Sequence, residues 1–268
     1  MSTRSYGLPT GFVTLMRREI LRYIRRPRNT FMPPLITNVL YFSVFGVVLG
    51  NRVGEIQGVS YILFLLPGLV VLGAISNSFE NSSFSIFHGR WNEYIQATTT
   101  SPLSYTHMVL AYVLSSALRG VLIGILITGV GAVFTSVTVR NPFYLVAFIL
   151  VITTLFSALG VVGGLWARDF DYLTVMNQFL LRPLVFFGGV FYSLEVLPTI
   201  WFYVSLLNPM VYMVNGVRYG FLGADAVDVG PNAALVVLST AAVVGVAVDI
   251  ALFRRGYGLT EESAQMLN

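Results

Sequence analysis

Six stretches of this chain run close to 20 residues each with almost no charge: Phe31–Leu49, Val59–Phe79, Ala111–Phe134, Phe143–Trp166, Leu173–Phe191 and Ala233–Phe253. That is the length a helix needs to cross a hydrocarbon core of about 30 Å. Composition agrees. Apolar residues make up 56% of the 268 and charged residues 10%, too little polar surface to cover a globule in water. The sequence predicts an all-α membrane protein with six transmembrane helices, in a transmembrane domain spanning 31–253.

Arginines set the orientation, because cytoplasmic loops retain positive charge. With the N-terminus inside, Arg4, Arg17, Arg18, Arg22, Arg25, Arg26, Arg28, Arg90, Arg168, Arg254 and Arg255 are cytoplasmic. Only Arg52, Arg140 and Arg218 fall outside, and Arg119 and Arg182 lie within spans. The expected protein is a multi-pass plasma-membrane protein with both termini, 1–30 and 254–268, in the cytoplasm. The N-terminus is too long and too polar before its first apolar run to be a signal peptide.

Absences exclude several chemistries. There is no Cys, so thiol catalysis and Cys-ligated zinc are out. His88 and His107 stand alone, without clustered carboxylates, so no metal site is expected. All 16 basic residues are arginine, and a Walker-type phosphate loop needs lysine. Any nucleotide-driven role therefore borrows its ATP and Mg²⁺ site from another polypeptide. The arginines follow membrane topology and not a nucleic-acid footprint. No mid-membrane carboxylate or histidine offers the ion site of a secondary carrier. The chain also lacks the Ser–Lys pair or paired carboxylates of an intramembrane enzyme.

Four polar regions separate the spans. Residues 10–28 place Phe12, Met16, Ile20, Tyr23 and Ile24 at helical spacing, with Arg18, Arg22 and Arg25 on another face. This predicts an amphipathic helix on the membrane surface. Pro27 is expected to end it, and Pro33-Pro34 to open the first span. The inner segment 80–105 carries a helix-compatible run, His88–Gln96, with Trp91, Tyr94 and Ile95 on one face; Thr98–Pro102 stops it and Ser104 can cap the next helix. The outer segment 192–231 is apolar but broken by Pro198 and Asn208-Pro209. Its pieces are too short to cross, so they either dip into the outer leaflet as half-helices or lie on its surface. Arg168, Asp169 and Asp171 read as a solvated inner turn.

Four charges lie near the inner boundary: Glu80, Arg119, Arg182 and Asp249. Arg119 is fifteen residues from Phe134, or roughly 22 Å along a helix, which leaves it within reach of the cytoplasmic face. The expectation is an ion-paired inner collar in which Glu80 pairs with Arg119. Gly120/Gly124 and Gly160/Gly164 recur at four-residue spacing and let helices approach closely. Gly188-Gly189 serves either packing or a moving or dimeric interface.

The stretch Gly163–Asp171, the run Pro183–Pro198, then Leu207–Met213 and Arg218–Gly223, resemble the signature of the ABC-2 permease family. Thr100-Ser101-Pro102-Leu103-Ser104 resembles the segment after that family's cytoplasmic helix. The resemblance covers essentially the whole chain and is closest to the bacterial and archaeal permeases of the YadH and nodulation-export type. It implies the type V exporter fold and a half-transporter that works as a homodimer with two copies of a separate ATPase subunit. The 10–28 helix would be the interface helix. His88, Arg90, Trp91, Glu93 and Tyr94 would couple to the ATPase, and 193–231 would form re-entrant helices. The first, second and fifth spans would line the path, making Tyr41, Phe42, Phe45, Asn77, Phe186 and Phe187 its candidate lining. Arg182 departs from the uncharged residue expected there. The function expected is export of an amphipathic, lipid-like or drug-like substrate. The alternatives are a membrane anchor or sensor for an ATPase, or an ion-coupled carrier.

Overall fold

The computed structural model describes residues 8–259, except 225–226 and 228–229, without the side chains of Leu8, Pro9, Asn51, Leu180, Arg182 and Phe186. Arg4, most of the tail 254–268, and the side chains of Arg182 and Phe186 therefore lie outside the described residues.

Helix α1 (Leu8–Ile24) ends where Arg26 leaves the helical region, at φ −121° and ψ 58°. The cause is local: a residue preceding proline is pushed out of the α region by the proline ring. Pro27 then opens α2 (Pro27–Tyr41), because at the first turn its missing amide has no partner to lose. Thr30 Oγ1 donates to the Tyr23 carbonyl (3.0 Å) and fastens this corner. The first span therefore begins at Pro27, and Pro33-Pro34 lie inside it and do not open it. Their missing amides leave the carbonyls of Asn29 and Thr30 without backbone donors, and further on the Asn38 side-chain Nδ2 donates to Pro34 O (2.8 Å). The helix continues as a wide, π-type stretch over Phe42–Leu49.

A short turn, α3 (Gly50–Val53), leads to a hairpin of β1 (Glu55–Ile56) and β2 (Val59–Ser60), with Glu55 opposite Ser60. Gln57 and Gly58 both have positive φ (50° and 73°), as a tight two-residue hairpin requires.

Helix α4 (Tyr61–Trp91) is the central post. Of its apolar window 72% is buried, against 17% for the first span and for the last helix. At 31 residues it is about 46 Å long and outruns the bilayer core. The boundary expected at Phe79–Glu80 is not a helix end: 80–91 continue the same helix. The separate helix expected over His88–Gln96 is instead the end of α4, a turn in which Glu93 takes φ 60°, and the short α5 (Ile95–Thr99).

Ser104 caps α6 (Tyr105–Phe134), accepting from the His107 amide at 3.4 Å. α7 (Pro142–Trp166) follows, then α8 (Phe170–Val175), a second π-type stretch (Met176–Leu181) and α9 (Arg182–Phe186). Asp169 caps α8, accepting from the Tyr172 amide at 3.0 Å. A 3-10 turn (Leu194–Val196) precedes α10 (Thr199–Leu206) and α11 (Pro209–Leu222), which are bent by 85° to one another. α12 (Pro231–Arg254) closes the bundle against α7 and α6.

Five of these helices are long and apolar enough to cross a membrane, or six if the bent pair counts as one. The expected fifth span, Leu173–Phe191, is not among the five: it is helical only to Phe186 and changes winding on the way. Among the described residues the only strands are those of the hairpin.

Lipid gives apolar faces no reason to associate, so helix pairing rests on close approach and hydrogen bonds. The glycines supply the approach. A Cβ at Gly160 would lie 2.5 Å from Phe79 O, one at Gly164 2.5 Å from Ser83 O, and one at Gly120 2.7 Å from Ala74 O. All three contacts are with α4. Gly124 is looser, its nearest neighbour being Val70 at 3.5 Å. Gly160→Val is expected to cost about 2 kcal/mol or more by overpacking, read as a lowered thermal midpoint in detergent, whereas Gly124→Ala leaves the midpoint in place.

Candidate functional site

A cleft of about 510 Å³ opens between α2, α4, α6 and α9. One end is polar, with Asn77, Glu80 and Arg119; Tyr41 and Phe191 stand at the other, with Asn38 one turn of α2 from Tyr41. Tyr41, Phe45 and Phe191 form an aromatic triangle with ring centroids 5.1–5.9 Å apart. Two other candidate lining residues do not join it. Phe42 is fully buried and stacks on Phe134 of α6 at 5.7 Å; as the neighbour of Tyr41 it projects about 100° further around the helix. Phe187 is 60% exposed, beyond the end of α9.

The polar end hangs from a stripe on α4 where Asn77, Ser78, Asn81, Ser82, Ser83 and Ser85 are all buried. Arg119 donates to Asn77 Oδ1 (3.1 Å) and to Asn81 Oδ1 (3.3 Å). Asn81 Nδ2 in turn donates to Ser116 Oγ (2.9 Å). Arg22 of α1 reaches the same residue, donating to Asn81 O (3.0 Å) and Oδ1 (3.1 Å). Glu80 accepts from Asn177 Nδ2 at 2.5 Å.

The expected collar is therefore rearranged. Glu80 and Arg119 line one cleft, but the direct partners of Arg119 are amide oxygens, and Glu80 acts on it through space. Asp249 is elsewhere, on the face of α12 that packs against α7 and α6. It is fully buried, and among the described residues neither carboxylate oxygen has a hydrogen-bond partner. Arg218, expected outside, is also fully buried: its guanidinium sits 3.9 Å from the Phe64 ring centre and donates to Gly189 O (2.8 Å).

At the polar end of the cleft lies a platform made of α1, the end of α4 and α5. The face that α1 turns to the bundle is Leu15, Glu19 and Tyr23, at four-residue spacing, while Ile24 of the expected apolar stripe is exposed. Glu19 is 3% exposed. Its carboxylate accepts from Ser85 Oγ (2.5 Å) and Arg18 (2.8 Å) and pairs with Arg22 (3.3 Å). Arg18 extends the network to Tyr112 (3.1 Å) and lies 5.8 Å from the Tyr94 ring centre. Burial pushes the Tyr23 phenol up to about 12, so it stays protonated. Local sequence reasoning misses Glu19, although a single acid three residues before Arg22 is the signature of a helical ion pair.

The five coupling candidates divide. Trp91 (60% exposed) and Tyr94 (41%) face outward, and Glu93 sits in the left-handed turn between them. Arg90 is turned inward and donates to Gly164 O (2.8 Å) and Ala167 O (2.9 Å), tying α4 to the turn before α8. His88 has its Nδ1 2.8 Å from Phe84 O, and its ring packs with Phe84, Phe87 and Phe170.

Residues 10–222 match the family model described as ABC-2 type transporter. The chain belongs to the ABC-2 type transporter family. It is 38% identical over 215 residues to the inner membrane transport permease YadH of Escherichia coli (strain K12), covering 80% of this chain and 84% of that one. It is 25% identical over 249 residues to nodulation protein J of Rhizobium meliloti (strain 1021), covering 91% and 93%. A similar match, 25% over 257 residues, links it to nodulation protein J of Neorhizobium galegae, covering 93% and 96%. The cleft and platform therefore belong to a multi-pass membrane permease subunit of the ABC-2 class.

Replacing Glu19 by Gln removes the charge that Arg18 and Arg22 share in a buried setting. A loss of about 2 kcal/mol is expected, because both arginines keep part of their hydration. Thermal unfolding of Glu19→Gln against wild type measures it, and Arg17→Gln, a change at an exposed position, serves as the neutral control.

Proposed function

We propose that this chain is the membrane half of an ATP-driven exporter, working as a homodimer with two copies of a separate ATPase that binds ATP and Mg²⁺. Its substrate is an amphipathic, lipid-like or drug-like molecule taken from the cytoplasm or inner leaflet. The observation that carries this reading is the stacking of two features in one chain. A cleft with a polar end and an aromatic end lies directly above a cytoplasmic platform that presents Trp91 and Tyr94.

The cycle follows from this arrangement. The ATPase dimer closes, pushes on the Trp91–Tyr94 turn and on α1, and moves α4 and α6, which carry the polar end of the cleft. Both termini are cytoplasmic in this reading. Residues 170–186 complete six crossings, and α10 and α11 are re-entrant half-helices in the outer leaflet. The poorly buried first span, with Phe187, is left for a second copy. The lysine-free sequence supports a phosphate loop supplied by the partner.

The test is co-purification and ATPase activity in lipid nanodiscs with the ATPase encoded beside this chain. Replacing Trp91, Glu93 and Tyr94 together by Ala is expected to weaken the complex about tenfold or more, since truncated interface aromatics are typical hot spots. An ATPase that neither co-purifies nor responds to this triple change removes the exporter reading. An ATPase that binds but is stimulated by no transported compound favours an anchor.

A further inference from the structure

A second hollow, separate from the cleft, lies between α6 and α7. The two helices touch at Gly120, where an added Cβ would lie 2.9 Å from Thr153 Cγ2. From there toward the loop that joins them they part. One turn on, a Cβ at Gly124 would meet only Val70 and Ala74 of α4, and one at Gly129 would meet nothing within 4 Å. The wedge left open is a groove of about 530 Å³. The buried Val70 is its floor, α6 from Val121 to Ala132 is one wall, and Val146 and Leu150 of α7 belong to the other. Val137 and Val139 line it from the connecting loop.

This lining suits hydrocarbon. No charged side chain belongs to it, and its one polar side chain, Thr128, already donates to Gly124 O (2.9 Å). Ile125, Val146 and Leu150 are exposed, so the groove opens sideways from two helices long and apolar enough to cross a membrane. A void there would forfeit dispersion contacts along the whole lining.

Length chooses between the apolar occupants. From Val121 to Ala132 is about 16 Å of helix, close to the roughly 15 Å that one leaflet contributes to a core of ~30 Å. A crossing helix of a second copy needs a track through both leaflets, and this one stops where α6 and α7 meet at Gly120 and Thr153. The poorly buried first span reaches α6 elsewhere, at Phe134, and none of its residues lines the groove.

We propose that this groove is a binding site for one acyl chain of a membrane lipid, held on the side of the α6–α7 loop. The site recognises the chain and not the headgroup. A chain seated in it touches α4, α6 and α7 together, and braces α6 and α7 where close glycine contacts no longer join them. The site goes beyond the transport reading and does not depend on it.

The experiment is native mass spectrometry of the full chain, delipidated and held at one concentration of a neutral detergent. The probes are oleoyl-lysophosphatidylcholine, oleoyl-lysophosphatidylglycerol and glycerophosphocholine. Both single-chain lipids are expected to bind saturably, one per chain and with similar affinity, while the chain-free headgroup does not bind. Gly129→Leu, whose side chain enters the open groove, is expected to weaken both lipids about tenfold. Ala247→Leu, at an exposed position of α12, leaves binding unchanged. Added lipid raises the thermal midpoint of wild type but not of Gly129→Leu. Without lipid Gly129→Leu unfolds no earlier than wild type, because leucine is the better helix former.

A wild type that binds no more tightly than Gly129→Leu overturns the proposal. A strong preference for one headgroup, or binding of glycerophosphocholine, places recognition outside the groove and overturns it as well; that comparison needs no variant. If Gly129→Leu breaks a dimer of the full chain and leaves lipid binding intact, the groove is a contact between copies and the acyl site falls.

Discussion

The structure depends on the packing of small and polar side chains along α4. In a bilayer a leucine is as well solvated by lipid as by protein, so burial alone does not choose helix partners. Steric fit and hydrogen bonds do. On α4 the carbonyls of Ala74, Phe79 and Ser83 lie so close to Gly120, Gly160 and Gly164 that no side chain fits between. Those contacts set α6 and α7 against the post, and everything else is placed relative to it. The cost is a helix rich in Ser and Asn, whose hydroxyls are satisfied partly within their own helix, as where Ser82 donates to Ser78 O (3.1 Å) and Phe79 O (3.2 Å).

The same stripe joins α1 to the cleft. Ser85 receives α1 through Glu19, Asn81 receives it through Arg22, and Asn81 and Asn77 hold Arg119 at the cleft wall. A displacement of α1 is transmitted through groups that are already hydrogen-bonded, with no intervening loop to absorb it. Arg90 does the equivalent on the other flank, fixing the end of α4 to the carbonyls of Gly164 and Ala167. A push on the exposed Trp91 therefore bears on α4 and α7 together. The buried Asp249 takes no part in this network, and no partner for it is found among the described residues.

Much of this was legible in the sequence because it depends on local pattern. Apolar length located the first four spans and the last, proline and the residue before it marked the corner at Arg26–Pro27, and Ser104 announced the start of α6. Other features escaped because they depend on side chains far apart in sequence. Arg22 and Asn81 are 59 positions apart and Asn81 and Ser116 are 35. Hydropathy also misplaced the end of α4: the polar run from Glu80 reads as a loop, yet a helix beyond the lipid has no need to be apolar. Arg218 was placed on the outer side by the order of the spans, which says nothing of its neighbours. Its burial over Phe64 becomes visible only once α11 folds back on α4. Tyr41 and Phe42 are neighbours about 100° apart around one helix, so only one of them faces the cleft, and Phe42 is the one buried against Phe134.

One shared acceptor, Asn81, fastens α1 to the wall of the cleft. A double-mutant cycle of Arg22→Gln and Arg119→Gln, read by thermal unfolding in detergent, tests it most directly. Non-additive changes are expected, with a coupling energy of about 0.5 kcal/mol or more, as for residues in one hydrogen-bond network. Strict additivity would mean that the two arginines act independently, and the mechanical link between platform and cleft would have to be abandoned.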